Sequence, residues 1–202
     1  MKTIVLGPPG TGKTHTLLNQ VEDYLKNTDP DRIGYFAFTK KAANEAKSRA
    51  MDKFNLGEDD LPYFRTIHSL CFHQLSLKRS DVMGPTHYRE LGDMLGLEVD
   101  GGATMDEGQI FGMKTGDKLF FLENLSRVQR IPLYDIFNKQ DDDNISWFEL
   151  ERLQRALVKY KEKRKIIDYT DMLVKCLEKK TFPKLRILFV DEAQDLSKVQ
   201  WD

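Results

Sequence analysis

Residues 7–14 read Gly7-Pro8-Pro9-Gly10-Thr11-Gly12-Lys13-Thr14, and this octet constrains the fold more tightly than any other stretch of the chain. It fits the Gly-x₄-Gly-Lys-Ser/Thr pattern, in which backbone N–H groups close around phosphate oxygens. The pattern has chemical meaning only between a strand and a helix. Thr3-Ile4-Val5-Leu6 before it is a short apolar run suited to a buried parallel strand. After it, Leu17, Leu18, Val21, Tyr24 and Leu25 recur at helical spacing, which predicts a helix from His15 to Leu25. The helix N-terminus adds partial positive charge to the loop. Gly10, Thr11, Gly12, Lys13 and Thr14 are therefore the candidate nucleotide-binding residues. Lys13 would reach the outer phosphates of ATP, and Thr14 would hold Mg²⁺.

A second feature lies near the other end. Leu185-Arg186-Ile187-Leu188-Phe189-Val190 reads as a buried strand, and Asp191-Glu192-Ala193-Gln194-Asp195 follows it. Two carboxylates at the C-terminal end of a strand suit a metal and an attacking water. Asp191 is the candidate Mg²⁺ ligand beside Thr14. Glu192 is the candidate base that orients and deprotonates the water. The same acidic residues would also suit a helix N-terminus, but the loop upstream favours an NTPase.

Length and composition bound the rest. The 202 residues suit one domain or two small ones, and the hydrophobic and charged fractions, 40% and 31%, are those of an ordinary globular protein. No apolar stretch approaches the ~18 residues that span a bilayer, so no membrane partner is expected. Met1-Lys2 leads directly into the first apolar run, without a signal-peptide pattern. Cys71 and Cys176 sit in helical apolar patterns and read as buried thiols of a reducing, cytoplasmic compartment. The net charge is −1, so any nucleic-acid site must be a local patch.

Along the chain, strands at Thr3–Leu6, Ile33–Thr39 and Tyr63–Ile67 alternate with helices at His15–Leu25, Lys40–Met51 and His68–Leu77. Such alternation predicts an α/β fold, a parallel sheet with helices on both faces, and the loop at 7–14 makes it one of P-loop NTPase type. From about Lys78 to Lys165 the pattern turns mainly helical, ending in a long helix at Glu149–Lys165 with a basic end. A further helix, Tyr169–Lys179, precedes the last strand. The expected organisation is an ATP-binding domain, 1–77 with 166–202, interrupted by a helical insertion, 78–165. Asn138 to Glu149 partly matches a calcium loop, but Asp143 stands where that loop needs glycine, so it reads as an acidic loop capping a helix.

Four further motifs fall in one order: Phe38-Thr39-Lys40-Lys41-Ala42-Ala43, Thr66-Ile67-His68-Ser69-Leu70-Cys71, Ile167-Asp168-Tyr169-Thr170-Asp171-Met172-Leu173, and Leu188 through Leu196. The series resembles the N-terminal motor domain of UvrD/Rep-like superfamily 1 DNA helicases, over essentially the whole chain. The resemblance implies a RecA-like P-loop NTPase fold and an ATP-driven motor on single-stranded DNA, with Phe38, Thr39, Lys40, Thr66 and His68 touching the strand. A hydroxyl and an ammonium at a helix start can hold a phosphate, and a ring can stack on any base; Phe38 fits core packing equally well. The resemblance also makes Gln194 the sensor of the γ-phosphate. His15 stands where relatives often carry an arginine near the adenine. It implies, too, a missing C-terminal motor domain, in cis or as a second polypeptide. That part would supply the arginine fingers and a strand lying between Thr3–Leu6 and Leu185–Val190. The 202 residues alone are then expected to bind ATP and hydrolyse it negligibly. Two rival classes share parts of the pattern: an AAA+ or kinase-type P-loop protein that does not act on DNA, and a DNA-binding module with structural ATP.

Nucleotide binding should depend on Lys13. Lys13→Ala is expected to weaken Mg·ATP binding by several kcal/mol, on the order of the cost of unpairing a buried charge. Titration with a fluorescent ATP analogue checks this, and equal affinities would show that the loop is not the site.

Overall fold

The computed structural model describes residues 3–8, 10–101, 114–180 and 182–202; Pro9 of the phosphate loop lies outside the described residues. The contacts divide the chain into two compact units, Met1–Gln74 with Lys180–Leu196, and Leu75–Lys179 with Ser197–Asp202.

The first unit is α/β. β1 (Ile33–Phe36), β2 (Phe64–Arg65) and β3 (Ile187–Val190) form a parallel sheet in the order β2-β1-β3. The register pairs Phe36 with Arg65 on one side and with Val190 on the other, so the strands end level. β1 is central and every residue in it is buried, which suits the run Ile33-Gly34-Tyr35-Phe36. Around the sheet lie α1 (Lys13–Leu25), α2 (Lys40–Phe54) and α3 (Ile67–Gln74). α1 buries Leu18 and Val21. α2 starts where the Thr39 hydroxyl accepts the Ala42 N–H at 3.1 Å, and it ends at Asn55, whose φ of 53° no longer continues the helix. Its buried face is Ala43, Ala46 and Ala50, a strip of small side chains in the core with Tyr35, Phe64 and Phe189.

One expected element is absent. Residues 3–6 form no strand, and Ile4 and Leu6 are 70% and 88% exposed. A strand exists only where a neighbour satisfies its backbone N–H and C=O groups. Among the described residues nothing pairs with the outer edge of β3, so the segment has no ladder to join.

The second unit is helical: α4 (Pro85–Leu95), α5 (Thr115–Gln129), α6 (Leu133–Phe137), α7 (Trp147–Arg164), α8 (Tyr169–Lys179) and α9 (Lys198–Trp201). α7 follows from Ser146, whose hydroxyl accepts the Glu149 N–H at 3.2 Å. Leu150, Leu153, Leu157 and Tyr160 then line one face and are buried with Leu119, Phe120 and Leu91. Each such leucine contributes about 1.5–3 kcal/mol on burial. In the acidic loop before α7, Asp142 accepts from Lys118 and from Asn144, and Glu149 is held by Ser146, so the loop is a cap. A short parallel bridge joins Val82 to Ile167, with Met83 N donating to Ile167 O and Ile167 N to Asp81 O, both at 2.8 Å. The chain therefore enters and leaves the stretch 83–166 side by side. No helix among the described residues is long and apolar enough to cross a membrane. Cys71 and Cys176 are buried and form no disulfide.

The interior of this unit holds charge. Arg127 grips Asp168 with two N–H groups at 3.0 and 2.8 Å and also meets Glu123 and Asp171. Lys161 meets Asp168 at 2.7 Å and Asp171 at 2.6 Å. Two cations thus face three carboxylates, Asp168 being 2% exposed. Burial by itself would raise the Asp168 carboxyl, but Arg127 and Lys161 more than reverse this and hold it at about 2. Burial pushes the Glu123 carboxyl up against the opposing pull of Arg127. The two acids of Asp168-Tyr169-Thr170-Asp171 are therefore spent on fixing α8 to α5 and α7.

Removing the central cation strands buried carboxylates, so Arg127→Ala should cost about 3–5 kcal/mol in urea unfolding. A loss below about 1 kcal/mol would show that the network does not stabilise the unit. The acid limb gives a second reading. Asp168 is depressed from an unfolded value near 3.9, so its contribution is complete above that pH and fades as the pH falls towards 2. Glu123 acts oppositely, since a raised carboxyl favours the fold at low pH and loses that effect as the pH rises through its folded value. Asp168→Asn should flatten the acid limb.

Candidate functional site

The loop before α1 is built on two glycines. Gly10 and Gly12 have φ of 79° and 80°, a region that side chains disfavour. A Cβ at either would meet nothing within 4 Å, so backbone conformation and not space requires glycine there. Thr11 closes the turn by donating its N–H and hydroxyl to Pro8 O at 3.4 and 2.8 Å. Gly12 leads directly into α1, so free N–H groups of the first turn lie beside the loop. Lys13 Nζ donates to Gly7 O at 3.0 Å and to Pro8 O at 3.1 Å, folding the ammonium over its own loop. A phosphate oxygen is a stronger acceptor for that ammonium than a neutral carbonyl. His15 is exposed on the first turn of α1.

The acid end meets this loop. Asp191 N donates to Phe36 O at 2.8 Å, which extends the β3–β1 ladder by one residue and sets the carboxylate at the sheet's C-terminal end. Thr14 Oγ1 donates to Asp191 Oδ2 at 2.8 Å. The two residues expected to hold Mg²⁺, from opposite ends of the sequence, are thus in direct contact. A hydroxyl and a carboxylate are hard oxygen donors of the kind Mg²⁺ takes alongside substrate phosphates. Asp191 is 5% exposed and is also held by the Glu192 N–H at 3.1 Å.

One partner was not legible as functional in the sequence. Tyr35, in the middle of β1, donates its phenol to Asp191 Oδ2 at 2.8 Å. Burial, then the bond to Asp191, pushes the Tyr35 hydroxyl far above its ordinary value, so it stays a donor. The only signal available was a tyrosine inside a fully apolar strand, where its hydroxyl needs a partner.

Glu192 and Gln194 are also brought together, Gln194 Nε2 donating to Glu192 Oε2. Glu192 has φ 50°, a left-handed backbone uncommon outside glycine and frequent at functional sites. It opens the turn Ala193–Asp195, which follows β3 directly.

The candidate strand-contacting residues leave the same end of the sheet, since Ala37 N donates to Arg65 O at 3.3 Å just before both segments diverge. Phe38 is half-buried, while Thr39 and Lys40 are exposed. Thr66 is different: it is 6% exposed, and its hydroxyl accepts the Ser69 N–H at 3.1 Å to cap α3. His68 is half-buried in the first turn of α3.

The family model for the UvrD/REP helicase N-terminal domain matches residues 1–202. The chain belongs to that family. Its UvrD/REP membership agrees with the α/β sheet and with the phosphate loop placed against an acid at a strand end. Over 69 residues, 33% of this chain, the UvrD/REP domain is 33% identical to the ATP-dependent DNA helicase Rep of Buchnera aphidicola subsp. Baizongia pistaciae (strain Bp). The matched stretch spans 10% of that helicase.

If Thr14 holds the metal, Thr14→Val should spare metal-free nucleotide binding and cut the gain in affinity that Mg²⁺ brings by roughly tenfold or more. Titration of a fluorescent ATP analogue with Mg²⁺ or with chelator measures both. An equal Mg²⁺ gain in the two proteins would remove Thr14 from the site.

Proposed function

We propose that this chain is the ATP-binding motor part of an ATP-dependent DNA helicase or translocase that moves on single-stranded DNA. The Thr14–Asp191 contact carries the reading, because it joins the phosphate loop to a metal-holding acid. The name of the Rep relative supports the DNA substrate. An AAA+ or kinase-type protein, or a module with structural ATP, has no comparable support. Residues 1–77 with 166–202 are then the motor domain and 78–165 the inserted helical subdomain, acting in the cytoplasm.

In this reading the loop N–H groups and Lys13 hold the β- and γ-phosphates. Thr14 and Asp191 would hold Mg²⁺, which would supply charge neutralisation on the phosphates. Glu192 accepts a proton from water at its carboxylate, the resulting oxygen attacks the γ-phosphorus, and the bond to the β-phosphate oxygen breaks to leave ADP. Gln194, whose amide bonds Glu192, reports the presence of the γ-phosphate. Phe38, Thr39, Lys40 and His68 form the DNA track, and Thr66 serves it by capping α3. A second motor domain, in cis or as another polypeptide, supplies the charge-stabilising arginine, a group typically worth about 10³–10⁵ in rate.

The test is ATP turnover in a polypeptide that also carries the second motor domain, with and without single-stranded DNA. Glu192→Gln should lower turnover roughly 10²-fold or more while ATP affinity holds. Lys40→Ala should weaken DNA stimulation and reduce the salt slope of DNA binding by about 0.7, one phosphate's share on a single strand. Turnover indifferent to DNA, or unaffected by Glu192→Gln, would overturn the reading.

A further inference from the structure

We infer that Tyr35 is a positioning residue that holds the Asp191 carboxylate against Thr14, so that the metal-holding oxygen atoms are arranged before any nucleotide arrives. The inference rests on the nucleotide-and-Mg²⁺ reading of this site. Tyr35 is completely buried at the centre of the sheet. Its ring stacks on Phe64 of β2 at 5.3 Å and lies 6.5 Å from Phe189 of β3, so aromatic contacts on both neighbouring strands fix it. From that position the hydroxyl reaches the same Asp191 oxygen that Thr14 meets, each at 2.8 Å. The other carboxylate oxygen receives the Glu192 N–H at 3.1 Å.

The chemistry of the donor matters. A lysine or arginine at this place would orient the carboxylate and also cancel its charge. A phenol orients it and leaves the negative charge available to a cation. The Thr14 hydroxyl cannot be the permanent anchor if its oxygen is to face a metal. Among the described residues, Tyr35 and the Glu192 N–H are the donors to Asp191 that need not change. The plain alternative is that Asp191 merely satisfies a buried tyrosine, with no consequence for the metal.

The two accounts separate in the 202-residue chain with Mg²⁺ as titrant and a fluorescent ATP analogue as reporter. Tyr35→Phe keeps the ring stack and removes only the hydroxyl. It is expected to leave affinity in chelator unchanged and to raise the Mg²⁺ midpoint roughly 10- to 100-fold, the usual effect of losing a partner behind a metal ligand. In an Asp191→Asn background the same substitution should add nothing, because Tyr35 acts through that carboxylate. An unchanged midpoint, or an equal shift in both backgrounds, would overturn the inference. Failure of the underlying site looks different: the wild type itself would gain no affinity from Mg²⁺. A second measurement does not need the variant to fold. Single-site 3-fluorotyrosine at position 35 should show a ¹⁹F resonance that moves when Mg²⁺ is added to the nucleotide-bound chain, and a silent resonance would contradict the role.

Discussion

The hydrogen bond from Asp191 N to Phe36 O is the contact on which the candidate site depends. It continues the register that pairs Val190 with Phe36 and Phe36 with Arg65. Because all three strands are parallel and end level, everything that follows them emerges at one end of the sheet. Asp191 and Glu192 leave β3 there, Phe38 to Lys40 leave β1, and Thr66 to His68 leave β2. Open parallel sheets place ligands outside the carboxyl ends of their strands for this reason. A one-residue slip between β1 and β3 would turn Asp191 to the other face and part it from Thr14.

The helical unit is organised by a different interaction. Its leucine core would hold α5 and α7 together without charge, yet Arg127, Lys161 and three carboxylates sit within it. Buried ion pairs rarely add net stability over apolar packing, but breaking one is costly. The network therefore specifies how α8 joins α5 and α7 more than it strengthens the unit. The bridge between Val82 and Ile167 adds a backbone tie at the same place where the chain enters and leaves the stretch.

Much of this was legible in the residues. The phosphate loop, the acid after the last strand, the helices at Lys40 and Tyr169 and the long helix expected from Glu149, which starts at Trp147, follow from local signals: glycine positions, caps and apolar spacing. The calcium-loop match fails on sequence grounds at Asp143, and the bond of Ser146 to Glu149 shows the loop acting as a helix cap. What local signals could not supply was pairing. Residues 3–6 have the composition of a buried strand, but composition does not provide a neighbour, and Ile4 and Leu6 stand in solvent. Tyr35 was unreadable for the same reason, since its partner lies 156 residues away. Thr66 is a DNA contact by resemblance, and its burial and its cap on α3 are matters of three-dimensional placement that the sequence does not carry.

The central claim is that a single pair of oxygen ligands, Thr14 and Asp191, defines where the metal of a nucleotide sits. It is tested most directly by crystallising the chain with Mn²⁺ and a non-hydrolysable ATP analogue and locating Mn²⁺ by its anomalous signal. The account predicts one strong peak within coordination reach of Thr14 Oγ1 and beside the Asp191 carboxylate, with the phosphates in the loop of Gly10 and Gly12. A peak elsewhere, or a nucleotide whose phosphates avoid that loop, would contradict it.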